Sequence, residues 1–436
     1  MAGPGFPYTF PFPRLLPKDA MAGSKPLSIP ATLLVALFLV SASSRSQAKP
    51  QGPQGPGQDK VPNPLKQAPN PLKQAPNPLK QAQEPLQKLV LPSFIKPGAL
   101  LTYKVLQSSE SDDPKKAGLA ATGYSRAMVI HVDSEAVLFE VTEFVDGLLS
   151  RNPAPMGGGP KIFTAKEVAQ GNAYWMLPAD LKTLKSEEGI QVRRGPFPLH
   201  GQAYKSVLVT VQIPNFVKQR AYDQGTGLLL MERSASGRPR RSGNADGFNL
   251  KTKNSLYYET YRVLDLPWFQ ATPPAWTRTV RKMVYRGNMT MFSPGGMPPT
   301  VLPREMVFAF KKHEGKLHMG TLTTKTLKNR LGIPESSNKS LFFETPYKVG
   351  GLWIPPKVLN SMKQGVLDTD PVLKSTLTYA IQQGNLGKLG VLVESHPSGS
   401  YQTILGYDLE DGALRFIQMN LKDMNQQITM TLVDRK

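Results

Sequence analysis

The chain has 436 residues, 40% of them hydrophobic, so it can build two or three domains with hydrophobic cores and is not wholly disordered. Its 53 Lys and Arg residues outnumber its 32 Asp and Glu residues, and the net charge of +21 favours anionic partners without specifying any of them. There is no cysteine, which excludes disulfides, thiol catalysis and cysteine-ligated zinc.

The N-terminal region has the layout of a secretory signal peptide. An apolar stretch from Ile29 to Ala42 follows Lys25 and precedes small residues up to Ala48, and it is too short to span a bilayer comfortably. We predict a signal peptide over residues 1–48, with Met21 as the alternative start and cleavage after Ala48 or Ala42. An uncleaved anchor, the only predicted membrane contact, is the alternative. Both interpretations make the body extracytoplasmic, that is periplasmic, on the cell surface or secreted.

Residues 49–96 are predicted to form a disordered, Pro-rich linker. The unit Asn-Pro-Leu-Lys-Gln-Ala begins at Asn63, Asn70 and Asn77, a seven-residue step that suggests a coiled coil. Proline recurs in the units and removes helix hydrogen bonds, so a semi-extended spacer is the better interpretation.

The rest of the chain contains one module twice, over residues 97–270 and 271–436. Trp175-x-x-Pro-x-x-Leu recurs at Trp353 with an offset of 178, and Arg126-x-Met-Val recurs at Arg304 with the same offset. Tyr222-Asp-x-x-x-Gly-x-Leu recurs at Tyr407 with an offset of 185. The order of these landmarks is the same, so we predict the same fold for both copies.

The offset also predicts where the copies differ. Pairing Val263-Leu-Asp with Leu432-Val-Asp gives an offset of 169, and the drop implies a longer loop in the first copy. We place this loop between Arg233 and Ser255, a segment rich in Gly and Arg.

Local patterns predict mainly strands. From Ser206 to Ile213 apolar and polar residues alternate, and they alternate again from Ile428 to Leu432, as in half-buried antiparallel strands. The Tyr-Asp landmarks place turn-forming residues between apolar runs and are typical of hairpin turns.

The Trp-x-x-Pro landmarks predict short helices. Pro178 and Pro356 suit a first helical turn, and apolar residues follow at helical spacing. We predict a second helix in the second copy between Asp370 and Gln383. The fold class is therefore a β-rich α+β fold of two tandem repeats, each a twisted antiparallel sheet with a short helix packed across it, an architecture comparable to lipoprotein-carrier half-barrels.

Such a sheet and helix can enclose an apolar cavity. We predict a cavity for a lipid or another apolar ligand, lined by Trp175, Leu181, Trp353 and Leu359.

Two basic clusters are candidate anion-binding sites. They are Arg193 with Arg194, and Arg238 with Arg240 and Arg241 in the loop of the first copy. They could bind an anionic envelope polymer or glycan, as an adhesin would, although solvated basic loops without a ligand explain them more simply. No specific nucleic-acid partner is predicted.

Catalytic, cofactor and metal motifs are missing. His313 and His318 are five residues apart in a predicted hairpin, and no His-Glu-x-x-His or Gly-x-Ser-x-Gly occurs. Ser395 and His396 are adjacent strand residues and point to opposite faces. We therefore predict a non-enzymatic extracytoplasmic binding or structural protein without catalytic, cofactor or metal sites; a hydrolase with a non-standard site is the alternative.

Overall fold

The structure is a computed structural model that describes residues 88–110, 120–145, 159–169, 171, 173–213, 216–236, 251–293, 297–327, 335–422 and 425–436. All of them belong to one compact unit, Gln74–Lys436. The predicted signal peptide and most of the predicted linker lie outside the described residues. Leu89 and Ile95 already pack into the core of the first repeat.

The described chain is dominated by strands, which form two antiparallel sheets. The first sheet contains β1 (Ala99–Glu110), β2 (Ala120–Val132), β3 (Ala136–Val145), β4 (Gly159–Thr164), β5 (Ile190–Leu199), β6 (Gln202–Ile213), β7 (Phe216–Asp223), β8 (Leu229–Ser236) and β9 (Lys251–Val263). The second contains β10 (Lys282–Met291), β11 (Thr300–Glu314), β12 (Leu317–Thr326), β13 (Ser336–Glu344), β14 (Gly365–Thr369), β15 (Thr376–Gly384), β16 (Gly387–Ser395), β17 (Tyr401–Asp408), β18 (Leu414–Leu421) and β19 (Gln426–Arg435). The short helices are α1 (Ala165–Ala169), α2 (Pro178–Thr183) and α3 (Pro356–Ser361), and a 3-10 turn covers Ala275–Arg278.

The two sheets share one strand order, apart from the additional edge strand β14 of the second, and this confirms the predicted β-rich fold with two similar sheets. The strand orders are β4-β3-β2-β1-β9-β8-β7-β6-β5 and β13-β12-β11-β10-β19-β18-β17-β16-β15-β14, so the first and last strands of each repeat pair in the interior of its sheet. The helices lie in the connection between the two edges of each sheet. We call the face that packs against this connection the inner face and the opposite one the outer face.

The Trp and Tyr-Asp landmarks join the helical connection to a hairpin turn in both repeats. Trp175 forms an isolated antiparallel bridge with Leu228, and Trp353 forms the equivalent bridge with Ala413. The flanking backbone bonds are also equivalent, because Met176 N–H donates to Gly227 O and Ile354 N–H donates to Gly412 O, each at 2.9 Å.

Tyrosine hydroxyls complete this joint. Tyr222 donates to Gly171 O at 2.8 Å, and its counterpart Tyr407 donates to Gly351 O at 2.9 Å. Tyr103 and Tyr285 donate to the carbonyls of the leucines that end the two landmarks, at 3.2 and 2.9 Å. The repeated residues therefore build the fold.

The cross-strand register corrects the sequence alignment of the two copies at Arg126. Tyr103 lies opposite Ser125, and its equivalent Tyr285 lies opposite Met306, so the offset in these strands is 181 and not 178. The local Arg-x-Met-Val match was wrong by three residues, an odd number that exchanges the two faces of a strand. Met128 accordingly lies on the outer face and Met306 on the inner face.

The register also corrects the predicted insertion. Leu256 is opposite Glu232 and Met430 is opposite Ile417, which gives an offset of 174 rather than 169. Strand β8 continues to Ser236 and β9 begins at Lys251, so the predicted loop was too wide. The intervening residues 237–250 lie outside the described residues.

The predicted helix between Asp370 and Gln383 was wrong. The segment turns at Asp370 and then forms β15, in which Leu377 and Tyr379 point to the inner face. Its run Thr-Leu-Thr-Tyr-Ala-Ile alternates and is rich in β-forming residues, a period of two that outweighs the helical spacing of its apolar residues. The helices beginning at Pro178 and Pro356 and the alternating strands β6 and β19 are confirmed.

Candidate functional site: the inner face of the first repeat

The four residues predicted to line a ligand cavity lie in the protein cores. Trp175 and Leu181 belong to the core of the first repeat, and Trp353 and Leu359 to that of the second, all at most 3% exposed. Their surroundings are aromatic and aliphatic side chains. They secure the helices rather than present a surface to a ligand.

Of the predicted anion-binding residues, the structure describes Arg193 and Arg194, which have different surroundings. Arg193 is exposed on β5, whereas Arg194 Nη2 donates to the carbonyls of Leu181 and Leu184 at 2.9 and 2.7 Å and so binds the C-terminal end of α2. Arg238, Arg240 and Arg241 lie outside the described residues.

The outer face of the first sheet covers the inner face of the second. Leu100, Met128 and Ile130 from outer positions of the first sheet share one core with Leu377 and Leu405 from inner positions of the second. Nearer the other end of the strands, the ring of Phe144 stacks on that of Tyr401 at 4.8 Å between centroids. The inner face of the second repeat is therefore occupied by the first repeat.

Ion pairs line this contact. Arg126 donates to Glu394 at 2.8 Å, and Arg262 binds Asp368 with two bonds of 2.6 and 2.8 Å and approaches Asp370 at 3.4 Å. In these pairs the cations belong to the first repeat and the carboxylates to the second, so this part of the contact is complementary in charge.

A cavity of about 50 Å³ lies among these ion pairs, and its lining includes Arg126, Glu140, Arg262, Asp368 and Glu394. Such a volume has room for a few water molecules and falls well below the roughly 300 Å³ of small-molecule pockets. It is part of the contact between repeats and too small for a lipid.

A buried group of two carboxylates and one ammonium closes the same contact. Lys348 Nζ lies 3.1 Å from Glu140 of the first repeat and 4.0 Å from Glu344 of the second. Burial lowers the pKa of Lys348, but the two carboxylates outweigh it and hold that pKa above its usual value. Burial raises the pKa of Glu344 to about 7. Glu344 therefore keeps its proton at pH values at which an exposed glutamate has lost it.

Replacing Glu344 with glutamine should change how stability depends on pH. The folded-state pKa of Glu344 is above its usual value, so its contribution is full below pH 4.5 and is lost as the pH rises through about 7. Glutamine keeps the carbonyl that accepts from Leu352 N–H but cannot ionise. We expect Glu344→Gln to be more stable than the wild type at pH 8 by about 1–3 kcal/mol, with the difference vanishing near pH 5. Urea unfolding across this range measures it, and Glu314→Gln, in an exposed hairpin, is the control; parallel stability curves for Glu344→Gln and wild type would contradict the assignment.

The inner face of the first repeat differs from its sealed counterpart. In both repeats the register aligns five inner positions in a row across the last five strands, with Tyr222 and Tyr407 as matching reference points. The first-repeat row is Val192, Val209, Arg220, Glu232 and Leu256. The second-repeat row is Tyr379, Leu392, Leu405, Ile417 and Met430.

Every side chain of the second-repeat row is buried and apolar, whereas four of the five in the first-repeat row are half-buried. The exception is Arg220, which is 8% exposed and donates from Nε to Glu232 at 2.6 Å. The next inner position of β7 adds Lys218, whose ammonium lies 3.1 Å from the other oxygen of Glu232. These two cations hold the pKa of Glu232 below its usual value, although burial opposes them.

Aliphatic and aromatic side chains flank these charges. Val209 lies opposite Arg220, and Val211 lies opposite Lys218. Both valines belong to a half-buried apolar strip, which consists of Ile190, Val192, Val209, Val211 and Phe216. The inner face of the first repeat thus presents an apolar strip beside two cations and one carboxylate.

The histidine and serine residues considered as catalytic or metal-binding candidates lie in the second repeat. His313 and His318 face each other across the β11–β12 hairpin with their Nδ1 atoms 2.5 Å apart, and burial lowers the pKa of both, that of His318 to about 4. Ser395 Oγ lies 3.3 Å from the Thr376 hydroxyl, and His396 Nδ1 lies 2.7 Å from Ser398 Oγ. Among the described residues no group of three or more His, Asp or Glu side chains is arranged to hold a metal ion.

Comparisons with known proteins do not assign this chain to a family. No family model matches it, and no curated protein matches it. Among solved structures, the crystal structure of MucB in complex with MucA(peri) is similar at 12% identity and a TM-score of 0.18, over 76% of this chain and 89% of that chain. A TM-score this low supports no inference about fold or function. Within the described ranges no helix has the length and apolar character needed to cross a bilayer.

Proposed function

We propose that the protein is a non-enzymatic extracytoplasmic binding protein that holds a lipid or another apolar ligand on the inner face of its first repeat. One observation carries this proposal: the same row of the fold is apolar and covered in the second repeat but half-open and partly charged in the first. A surface that the fold leaves uncovered in only one of two copies is the one available to a ligand. The second repeat then serves as the support that fixes the first.

The apolar strip supplies the driving force for binding. Its five side chains are half-buried in the protein alone, and a ligand that covers them removes the remaining apolar surface from water. The binding surface differs from the cavity predicted beside the tryptophans, because those side chains are already packed. Extracytoplasmic location remains the prediction made from the apolar stretch and its flanks.

Uptake of a fluorescent fatty acid by the full chain tests the proposal, with native mass spectrometry of the purified protein to detect co-purified lipid. Replacing Val209 and Val211 with threonine keeps the shape and strand propensity but adds hydroxyls to the strip. We expect this double variant to bind about tenfold more weakly. Val301→Thr, on the outer face of the second repeat, is the matched control. Neither uptake nor a co-purified lipid in the wild type would refute the proposal.

A second function, adhesion to an anionic envelope polymer or glycan, is favoured by the net charge of +21. It predicts salt-sensitive retention on heparin or wall polymer that weakens when Arg238, Arg240 and Arg241 are replaced together. Unchanged retention of this triple variant would exclude that loop as the contact.

A further inference from the structure

The three charged side chains on and next to the first-repeat row have no counterpart in the second repeat. By register Arg220 corresponds to Leu405, Lys218 to Thr403, and Glu232 to Ile417. The fold itself therefore does not require ionic groups at these positions. Placing three of them beside an apolar strip costs desolvation free energy that apolar residues would avoid.

Lys218 is the accessible charge of this group. The carboxylate of Glu232 meets Arg220 through one oxygen and Lys218 through the other. Lys218 is the more accessible cation, with 26% of its side chain exposed, and an ammonium has three donors, one of which is directed at Glu232. An accessible ammonium with two further donors therefore lies next to aliphatic side chains.

We infer that the ligand is an amphiphile with one anionic head group, whose aliphatic chain covers the apolar strip and whose head group binds Lys218 beside Arg220. This inference rests on the proposed function and names the class of ligand. A carboxylate or phosphate accepts charge-assisted hydrogen bonds from the ammonium. These bonds are stronger than those that a neutral head group would accept. Burial lowers the pKa of Lys218 in the protein alone, and a bound anion would counteract that effect.

The relative positions of Lys218 and the apolar strip suit such an amphiphile. Val211 lies directly opposite Lys218, and Ile190 lies opposite Val211 on the next strand, so the strip begins at the cation and extends away from it towards β5. Neighbouring strands are about 4.8 Å apart. A chain laid across β7, β6 and β5 therefore contacts the strip while its head group stays at Lys218.

The test compares three ligands that share a twelve-carbon chain: dodecanoate, dodecyl phosphate and the neutral dodecanol. Their affinities for the full chain are measured by displacement of a fluorescent probe. We expect at least one anion to bind about tenfold more tightly than dodecanol, with an advantage that shrinks as ionic strength rises. Comparing dodecanoate with dodecyl phosphate shows whether the site prefers a carboxylate or a phosphate head group.

Substitution of Lys218 assigns the contact. Lys218→Gln should remove the advantage of the anions, about tenfold, and leave dodecanol binding within about twofold of the wild type. Lys218→Arg should retain the advantage, and Lys104→Gln, an exposed position on the outer face of the same sheet, should change nothing. Circular dichroism and thermal unfolding show whether each variant is folded.

The outcomes separate this inference from the proposed function. If dodecanol binds as tightly as both anions, or if folded Lys218→Gln keeps their advantage, the inference is wrong and binding of apolar ligands stands. If none of the three binds and the fatty acid is not taken up, the proposed function fails as well.

Discussion

Replacing Lys348 with methionine is expected to lower the free energy of unfolding by about 3–5 kcal/mol at pH 7. The ammonium is buried between Glu140 and Glu344, one from each repeat, and its removal leaves the Glu140 carboxylate without its 3.1 Å partner. Lys348 Nζ also donates to Phe343 O at 3.1 Å, so a backbone acceptor loses its donor. Methionine has a similar length, so the loss reflects charge more than volume.

The pH dependence of this loss identifies its cause. Burial raises the pKa of Glu344 to about 7, so Glu344 is protonated near pH 4, and the cost of the uncompensated buried charge should then decrease. Lys312→Met removes an exposed ammonium that pairs with Glu314, and it should change stability by less than about 1 kcal/mol at either pH. Urea unfolding at pH 4 and pH 7 provides the measurement; an equal loss at both values would mean that packing, not charge, explains it.

Replacing Gly412 with alanine is expected to cost more than about 2 kcal/mol. Gly412 has a φ of +76°, a conformation that strains residues with a Cβ atom, and an added Cβ would lie 2.1 Å from Ile354 O. Ile354 N–H donates to Gly412 O in the joint between the turn and the helical connection. The substitution would therefore push apart the segment that carries Trp353.

The equivalent substitution in the first repeat provides an independent test of the steric explanation. Gly227 has a φ of +77°, and its added Cβ would lie 1.9 Å from Met176 O, so Gly227→Ala should cost a similar amount. Gly384→Ala is the control, since an added Cβ there meets no atom within 4 Å. Chemical denaturation measures all three, and a loss at Gly384 as large as that at Gly412 would contradict the steric explanation.

The architecture was predictable from the sequence because the residues that recur most recognisably in the two copies are also the residues that hold the fold together. Trp353 and Tyr407 are large, infrequent and located at joints that tolerate little change, so they remain recognisable in both copies. Strand β6 was predictable because alternation reports directly which side chains are buried. The segment after Asp370 was mistaken for a helix because short apolar spacings fit both periods until strand pairing decides between them.

The candidate site was harder to predict because it depends on tertiary contacts: the inner face is buried in the second repeat and half-buried in the first. Arg220 and Lys218 look like ordinary basic residues of a strand. Their significance appears only when they are compared with Leu405 and Thr403, the equivalent residues of the second repeat. The offset of 185 at the Tyr-Asp landmarks already pairs Arg220 with Leu405 and Lys218 with Thr403, but the sequence does not show which of the two faces is covered. Burial of the second-repeat row by the outer face of the first sheet is a tertiary contact that no local pattern encodes.

The pairing of first and last strands also constrains how the chain folds. Tyr103 lies opposite Tyr258, which is 155 residues later, so β1 keeps an unpaired edge until β9 has been made. The second sheet must wait for β19, and its core additionally requires the finished outer surface of its neighbour. These two long-range pairings slow folding and favour completion of the first repeat before the second. In a chain emerging N-terminus first, the edge of β1 therefore stays open to self-association until β9 is available.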